Sequence, residues 1–222
     1  MKKTLIAAAL MVCAGSAFAD PTAVLQVQGK LTNAACTPEL SNGGVIDYGY
    51  IHLSSLSADT INQIGHKQID LKINCTAATK VAWSLVDDKA STIADITVEN
   101  ATATGQAHST NSQLYGVGLA GDVKIGNYAM YVDPDNVIAD SKTVDIIYRQ
   151  YEDVWEKSNN GSTQGESIRE MTVATTGSIE PLAFTNATFP LVTSLAIQST
   201  STLAITDDTE LDGQLTISLN YL

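Results

Sequence analysis

Strict alternation of apolar and polar side chains constrains this chain more than any other feature of its sequence. From Gln68 to Cys75, the side chains of Ile69, Leu71, Ile73 and Cys75 fall on one face, and Gln68, Asp70, Lys72 and Asn74 on the other. A period of two places alternate residues on opposite sides of a strand, whereas a helix would need apolar positions three and four apart. The run therefore reads as a half-buried antiparallel strand. Val81, Trp83 and Leu85 continue the alternation after the turn-like Thr76-Ala77-Ala78-Thr79, which predicts two neighbouring strands. Phe189, Leu191, Thr193, Leu195 and Ile197 repeat the pattern.

Shorter runs at Val45–Tyr48, Thr92–Val98, Leu114–Leu119, Tyr128–Val132, Val144–Tyr148 and Met171–Thr175 are separated by Gly, Asn, Asp and Ser clusters. Many short strands with turn signals between them predict an all-β sandwich. Lys157–Gly165, with Asn159, Asn160 and Gly161, reads as a long mobile loop. Tyr148, Tyr151 and Trp155 would share a face if a short helix formed over Tyr148–Lys157. The expectation there is a turn of helix covering the end of the sandwich, rather than an exposed aromatic face for a sugar.

The compartment follows from the first nineteen residues. Lys2 and Lys3 precede an apolar run from Leu5 to Val12, which ends in Ala17-Phe18-Ala19 before Asp20. This is the pattern of a cleaved signal peptide, and the run is far short of the roughly 20 residues that span a bilayer. The mature chain, residues 20–222, is expected to be soluble, exported and a single domain, with no membrane insertion. Losing the leader removes two lysines and no acid, so 12 basic residues become 10 against 24 acidic ones, a net charge of −14. Nucleic acid is excluded as a partner on that balance.

Cys13 leaves with the leader, and Cys36 and Cys75 face an oxidising compartment, where a disulfide between them is expected. His52, His66 and His108 have no paired spacing with other ligands, so no metal or other cofactor is expected. No Gly-x-Ser-x-Gly motif is present and both mature cysteines are committed, which argues against an enzyme. Asp133-Pro-Asp135-Asn136 through Asp140 collects oxygen ligands, but Val137 and Ile138 break the EF-hand template, and a turn is expected. The acidic run Asp207–Asp212 reads as a solvated approach to the last strand.

Gly29-Lys-Leu-Thr-Asn-Ala-Ala-Cys36 resembles the first strand of chaperone-usher pilins, which runs into the first half-cystine. Gly43-Gly44-Val45-Ile46-Asp47-Tyr48-Gly49 is similar to their second strand, and Cys75 lies where they place the second half-cystine. The chain closes on Gly213–Leu222, similar to the pilin C-terminal strand with its penultimate tyrosine, here Tyr221. Ala35–Gly44, Tyr115–Leu119, Lys124–Tyr128 and Leu211–Gly213 resemble a fimbrial-like periplasmic family that includes GltF and YhcF.

The resemblance implies a pilin-like immunoglobulin-type sandwich that lacks its last strand until complemented. It implies a structural protein of a surface fimbrium or pilus, serving cell adhesion. The implied partners are a periplasmic chaperone and other pilin-like subunits. Leu215, Ile217, Leu219 and Tyr221 would form the interaction strand, with the carboxylate of Leu222 gripped by the chaperone. Leu25, Val27 and Gly29 would belong to the donor segment, in which only the nine residues Asp20–Gln28 stand before Gly29. The alternative is a self-contained periplasmic binding or regulatory protein, whose extra residues between Asn100 and Gly177 supply the missing strand internally.

Closing a loop of 39 residues contributes about 3–4 kcal/mol through loop-closure entropy. Thiol labelling of the native mature protein is expected to find no reactive cysteine. Replacing either Cys36 or Cys75 is expected to lower the unfolding free energy by about 3–4 kcal/mol, read by chemical unfolding.

Overall fold

Two long alternating runs, Asn62–Thr79 and Phe184–Ile197, organise everything around them. A computed structural model of the chain describes residues 35–151 and 154–222. The expected leader and the candidate donor residues Leu25, Val27 and Gly29 lie outside the described residues. In chain order the strands are β1 (Cys36–Leu40), β2 (Asn62–Thr79), β3 (Val81–Asp87), β4 (Tyr115–Gly116), β5 (Leu119–Ala120), β6 (Val123–Lys124) and β7 (Gly126–Val132). There follow β8 (Ile138–Ala139), β9 (Lys142–Thr143), β10 (Asp145–Gln150), β11 (Glu156–Lys157), β12 (Arg169–Ala174), β13 (Phe184–Ile197) and β14 (Leu215–Tyr221), with one turn of helix, α1, at Thr200–Leu203.

The first sheet has the order β1-β2-β13-β7-β4, and the β8–β9 hairpin also joins β13. The second has the order β11-β10-β12-β3-β14. All pairs are antiparallel, and the whole is the all-β sandwich that the alternation predicts. Cys36 stands opposite Cys75 on the β1–β2 ladder, and the two sulfurs are bonded. Between the sheets, Ile69, Leu71, Ile73, Phe189 and Leu191 meet Val81, Trp83, Leu85, Ile146, Met171 and Val173. Burying each such large side chain contributes about 1.5–3 kcal/mol. Trp83 and Phe189 meet edge to face across the layers, with ring centroids 5.7 Å apart.

Several expectations from the sequence are corrected. The runs 68–75 and 81–85 are consecutive strands but do not pair: β2 pairs β1 and β13, whereas β3 pairs β12 and β14. Thr76–Thr79 is strand rather than turn, and the chain changes sheets at Lys80. The described residues of Tyr148–Lys157 are not helical: Tyr148 and Glu156 are opposed on β10 and β11, and the Tyr148 hydroxyl donates to the Glu156 carboxylate at 2.9 Å. Lys157–Gly165 is tied down rather than free: Gly161 and Met130 carbonyls accept from Val132 and Thr163 N–H at 2.9 and 3.3 Å, and Ser162 and Thr163 are buried. Gly161 has φ +66°, and a Cβ there would lie 1.8 Å from the Val132 carbonyl oxygen, so only glycine fits this approach. The Asp133–Asn136 segment forms the expected turn, with the Asp133 carboxylate accepting from Asp135 N–H at 3.2 Å and from the Asn136 amide at 2.7 Å.

Val45–Tyr48 and Thr92–Val98, expected as strands, join no ladder beyond a single bridge between Val98 and His108. Their apolar side chains serve as coverings. Ile93, Val98, Ala101 and Leu114 pack on Ala129 and Ala196, on the face of the first sheet turned away from the second. Part of the extra length expected near Asn100–Gly177 is therefore spent on burying the back of β13 and β7.

Polar side chains fasten this covering segment to the sheet. The fully buried Asn127 accepts from Ala94 N–H at 2.6 Å and donates to the Ala94 and Ile96 carbonyls at 2.8 and 3.0 Å. Ser194 Oγ donates to the Asn100 carbonyl at 2.7 Å, and Gln63 donates to Thr97 O at 3.0 Å. Removing Asn127 would strand backbone groups in a dry site, at about 1–3 kcal/mol for each. Asn127→Ala is thus expected to lower stability by about 3 kcal/mol. Limited proteolysis should then cut first within 93–114, and unchanged cleavage would refute the fastening.

Candidate functional site

Among the described residues the last strand has one neighbour. Leu215 through Tyr221 pair rung by rung with Asp87 through Val81, and Asp88 N–H to Gln214 O and Leu222 N–H to Lys80 O extend the ladder at either end. No strand among the described residues pairs with the other edge of β14. β1 is likewise paired on one side alone among the described residues, with β2. These two free edges belong to opposite sheets and flank one side of the sandwich.

Between them lies a groove of about 830 Å³. Leu40 of β1, Ile69 of β2, Met130 of β7, Leu191 of β13, and Leu215 and Ile217 of β14 line its apolar part. At one end it is bridged, for the Tyr221 hydroxyl accepts the Cys36 backbone N–H at 2.8 Å, beside the disulfide. At the other end it is bordered by the segments 44–53 and 205–214. Ile46 packs against the main core and Tyr48 plugs the gap beyond it. The Tyr48 hydroxyl sits 2.9 Å from Thr193 Oγ1 and 3.2 Å from the Thr193 carbonyl, and burial pushes its pKa up.

The structure sets the expected interaction residues on this groove unequally. Leu215, Ile217 and Leu219 are half-buried and lean on the core, while Tyr221 is 56% exposed and reaches across by its hydroxyl alone. Tyr221 is therefore a bridge rather than a fourth buried residue of that face. Leu222 is 43% exposed. On the opposite wall, Ile46 and Tyr48 alternate with the exposed Val45 and Asp47, so the short run Val45–Tyr48 and the resemblance of Gly43–Gly49 to a pilin strand both point there, although the segment joins no ladder.

A second polar cluster lies away from the groove lining. His108 Nε2 and Ser162 Oγ are 2.9 Å apart and both residues are buried. Burial lowers the imidazole pKa, and the Arg169 guanidinium donates to the Ser162 carbonyl. The arrangement staples the 108 and 162 loops together. Near the groove mouth the buried Asp87 carboxylate accepts from Lys89 and Gly116 N–H, both at 2.9 Å, and burial pushes its pKa up.

Comparison with known proteins bears on this site because it reaches both walls. Residues 25–129, which run through β1 into β7, match a family described as a protein of unknown function, DUF1120. Protein GltF of Escherichia coli (strain K12) is 35% identical, over 98% of this chain and 96% of its own length. The uncharacterized protein YhcF of the same strain is 31% identical, over 96% of this chain and 98% of its own. The chain belongs to the GltF–YhcF family.

The bridge at the end of the groove gives a direct test. Tyr221→Phe removes one partly exposed acceptor and is expected to cost about 1 kcal/mol or less. Hydrogen exchange at the Cys36 amide should accelerate selectively, and an unchanged rate would show that Tyr221 does not hold the two edges together.

Proposed function

We propose that the chain is a fimbrial-like structural and interaction protein of the periplasm, whose groove between β1 and β14 is filled by an extended strand from another polypeptide. The first occupant is a periplasmic chaperone, and the second is the N-terminal segment of another pilin-like subunit, which in this sequence would be the stretch holding Leu25, Val27 and Gly29. The observation that carries the reading is the pair of strand edges, unpaired among the described residues, that flank an apolar groove. An added strand would satisfy the free N–H and C=O groups of β14 and place alternate side chains over Ile69, Met130 and Leu191. Left empty, such an edge beside exposed apolar surface is a template for aggregation.

The resemblance to chaperone-usher pilins supports the same reading from the sequence. It assigns the Leu222 carboxylate to a basic grip on the chaperone. The acidic mature chain suits a partner that presents basic groups. Among the described residues no helix is long and apolar enough to cross a membrane.

Periplasmic extraction is expected to yield the chain cleaved before Asp20 and in equal amount with one chaperone. Amides of Leu215–Tyr221 should exchange slowly in that complex. Leu219→Asp, on the core-facing side, should abolish the complex and the soluble protein, since it buries an unpaired charge, whereas Ser218→Asp should be tolerated. A chain that purifies alone, melts cooperatively and shows no added protection along β14 would overturn the proposal in favour of a self-contained periplasmic protein.

A further inference from the structure

The groove is apolar along most of its length and acidic at one mouth only. Asp47, Asp207, Asp208 and Glu210 all contribute to its lining, and no Lys or Arg does so among the described residues. These four carboxylates are exposed, and none of them is in an ion pair among the described residues. Lys89 is paired with Asp212, the acid that follows them before β14. Asp207, Asp208 and Glu210 precede β14, so they lie beyond the Leu215 end of the groove, opposite to the end bridged by Tyr221 and Cys36.

We infer that this mouth selects the occupant by charge: the strand that fills the groove carries lysine or arginine immediately beyond its alternating apolar residues, at the end that emerges past Leu215. The inference rests on the groove being a strand-binding site. It concerns a different place from the Leu222 carboxylate, which closes the opposite end of β14. Exposed carboxylates act chiefly on encounter: they raise the association rate of a basic partner, and salt screens them within about 10 Å at 0.1 M. The apolar contacts, by contrast, are insensitive to salt at that level and hold the strand once it is in.

The test uses synthetic strands of alternating valine and threonine, extended at one terminus or the other by paired lysines, paired glutamines or paired glutamates. Their binding to the folded mature chain is followed by stopped-flow fluorescence. At low ionic strength one lysine-tagged strand is expected to associate about tenfold faster than the glutamine strand, and the glutamate strand more slowly than either. The advantage should vanish in about 0.5 M salt, where the Debye length falls below ~5 Å. It should also vanish in the double variant Asp208→Asn, Glu210→Gln, but not in Glu180→Gln, outside the groove lining. Because Asp208 and Glu210 are exposed and unpaired, the double variant should melt as the parent does. Equal rates for lysine and glutamine strands would overturn the charge selection while leaving the groove a strand site. Failure of every strand to bind would overturn both.

Discussion

The ladder between β2 and β13 is the constraint from which the rest follows. The two strands pair from Thr79 opposite Phe184 to Asn62 opposite Ile197, whereas no strand of the second sheet exceeds the seven residues of β3 and β14. A sandwich is stable where two apolar faces cover each other. Here the longer sheet outruns the shorter one, and its surplus face must be covered by other means. Tyr48, Ile51, Val117, Ile125, Leu203 and Ile205, from three separate loops, converge on Leu195 and Ile197 for that purpose. The groove lies at the boundary between the part covered by a sheet and the part covered by loops.

Strand pairing explains why that boundary stays open along one side. The disulfide holds β1 against β2 at Cys36 and Cys75, and β14 is held against β3 along its full length. Each edge is thus fixed by its own sheet, independently of the other. The Tyr221 bridge sets their approach at one end. Towards Leu40 and Leu215 no described residue bridges them, because the segment that leaves β1 turns through Ser41–Gly44 and is committed, through Tyr48, to Thr193 on β13. Closing the gap would require moving Tyr48 out of a half-buried site and breaking its hydrogen bond to Thr193. The half-buried state of Leu215, Ile217 and Leu219 is the consequence.

Alternation along the chain made most of the strands legible, since period-two burial is a local property of the backbone. Runs around 68–75, 81–85, 128–132, 144–148, 171–175, 189–197 and 215–221 all lie on strands. What the pattern could not report is the partner. Lys80 moves the chain from one sheet to the other, and nothing in its type or its neighbours marks that. Apolar runs at 45–48 and 92–98 record burial correctly but are loops lying on a sheet, because burial leaves the same trace whether or not the backbone joins a ladder. Lys157–Gly165 shows the reverse error: a polar, glycine-bearing stretch suggests mobility, yet its amides and hydroxyls are consumed in packing against Met130 and Val132. Of the groove, the β14 wall could be read from Leu215–Leu219, while the placing of Leu40, Ile46 and Tyr48 as one wall exists only through tertiary contacts.

The acidic mouth owes its position to the same economy of anchors. The approach to β14 is fastened at its C-terminal end, where Asp212 N–H donates to Val117 O at 2.9 Å, the Lys89 ammonium meets the Asp212 carboxylate, and Gly213 lies against Gly116 and the Tyr128 ring. Lys89 and Gly116 are themselves held by the buried Asp87 carboxylate, which stands opposite Leu215 on the β3–β14 ladder. Asp207, Asp208 and Glu210 therefore project from a stretch whose base is tied into the core and whose upper part is exposed. A fixed base places the charges at the mouth of the groove, and exposure keeps them from pairing within the chain. An edge strand beside apolar surface invites indiscriminate pairing. Like charges at its entrance disfavour pairing with an acidic segment, so the feature that would admit a basic strand also guards the open edge until that strand arrives.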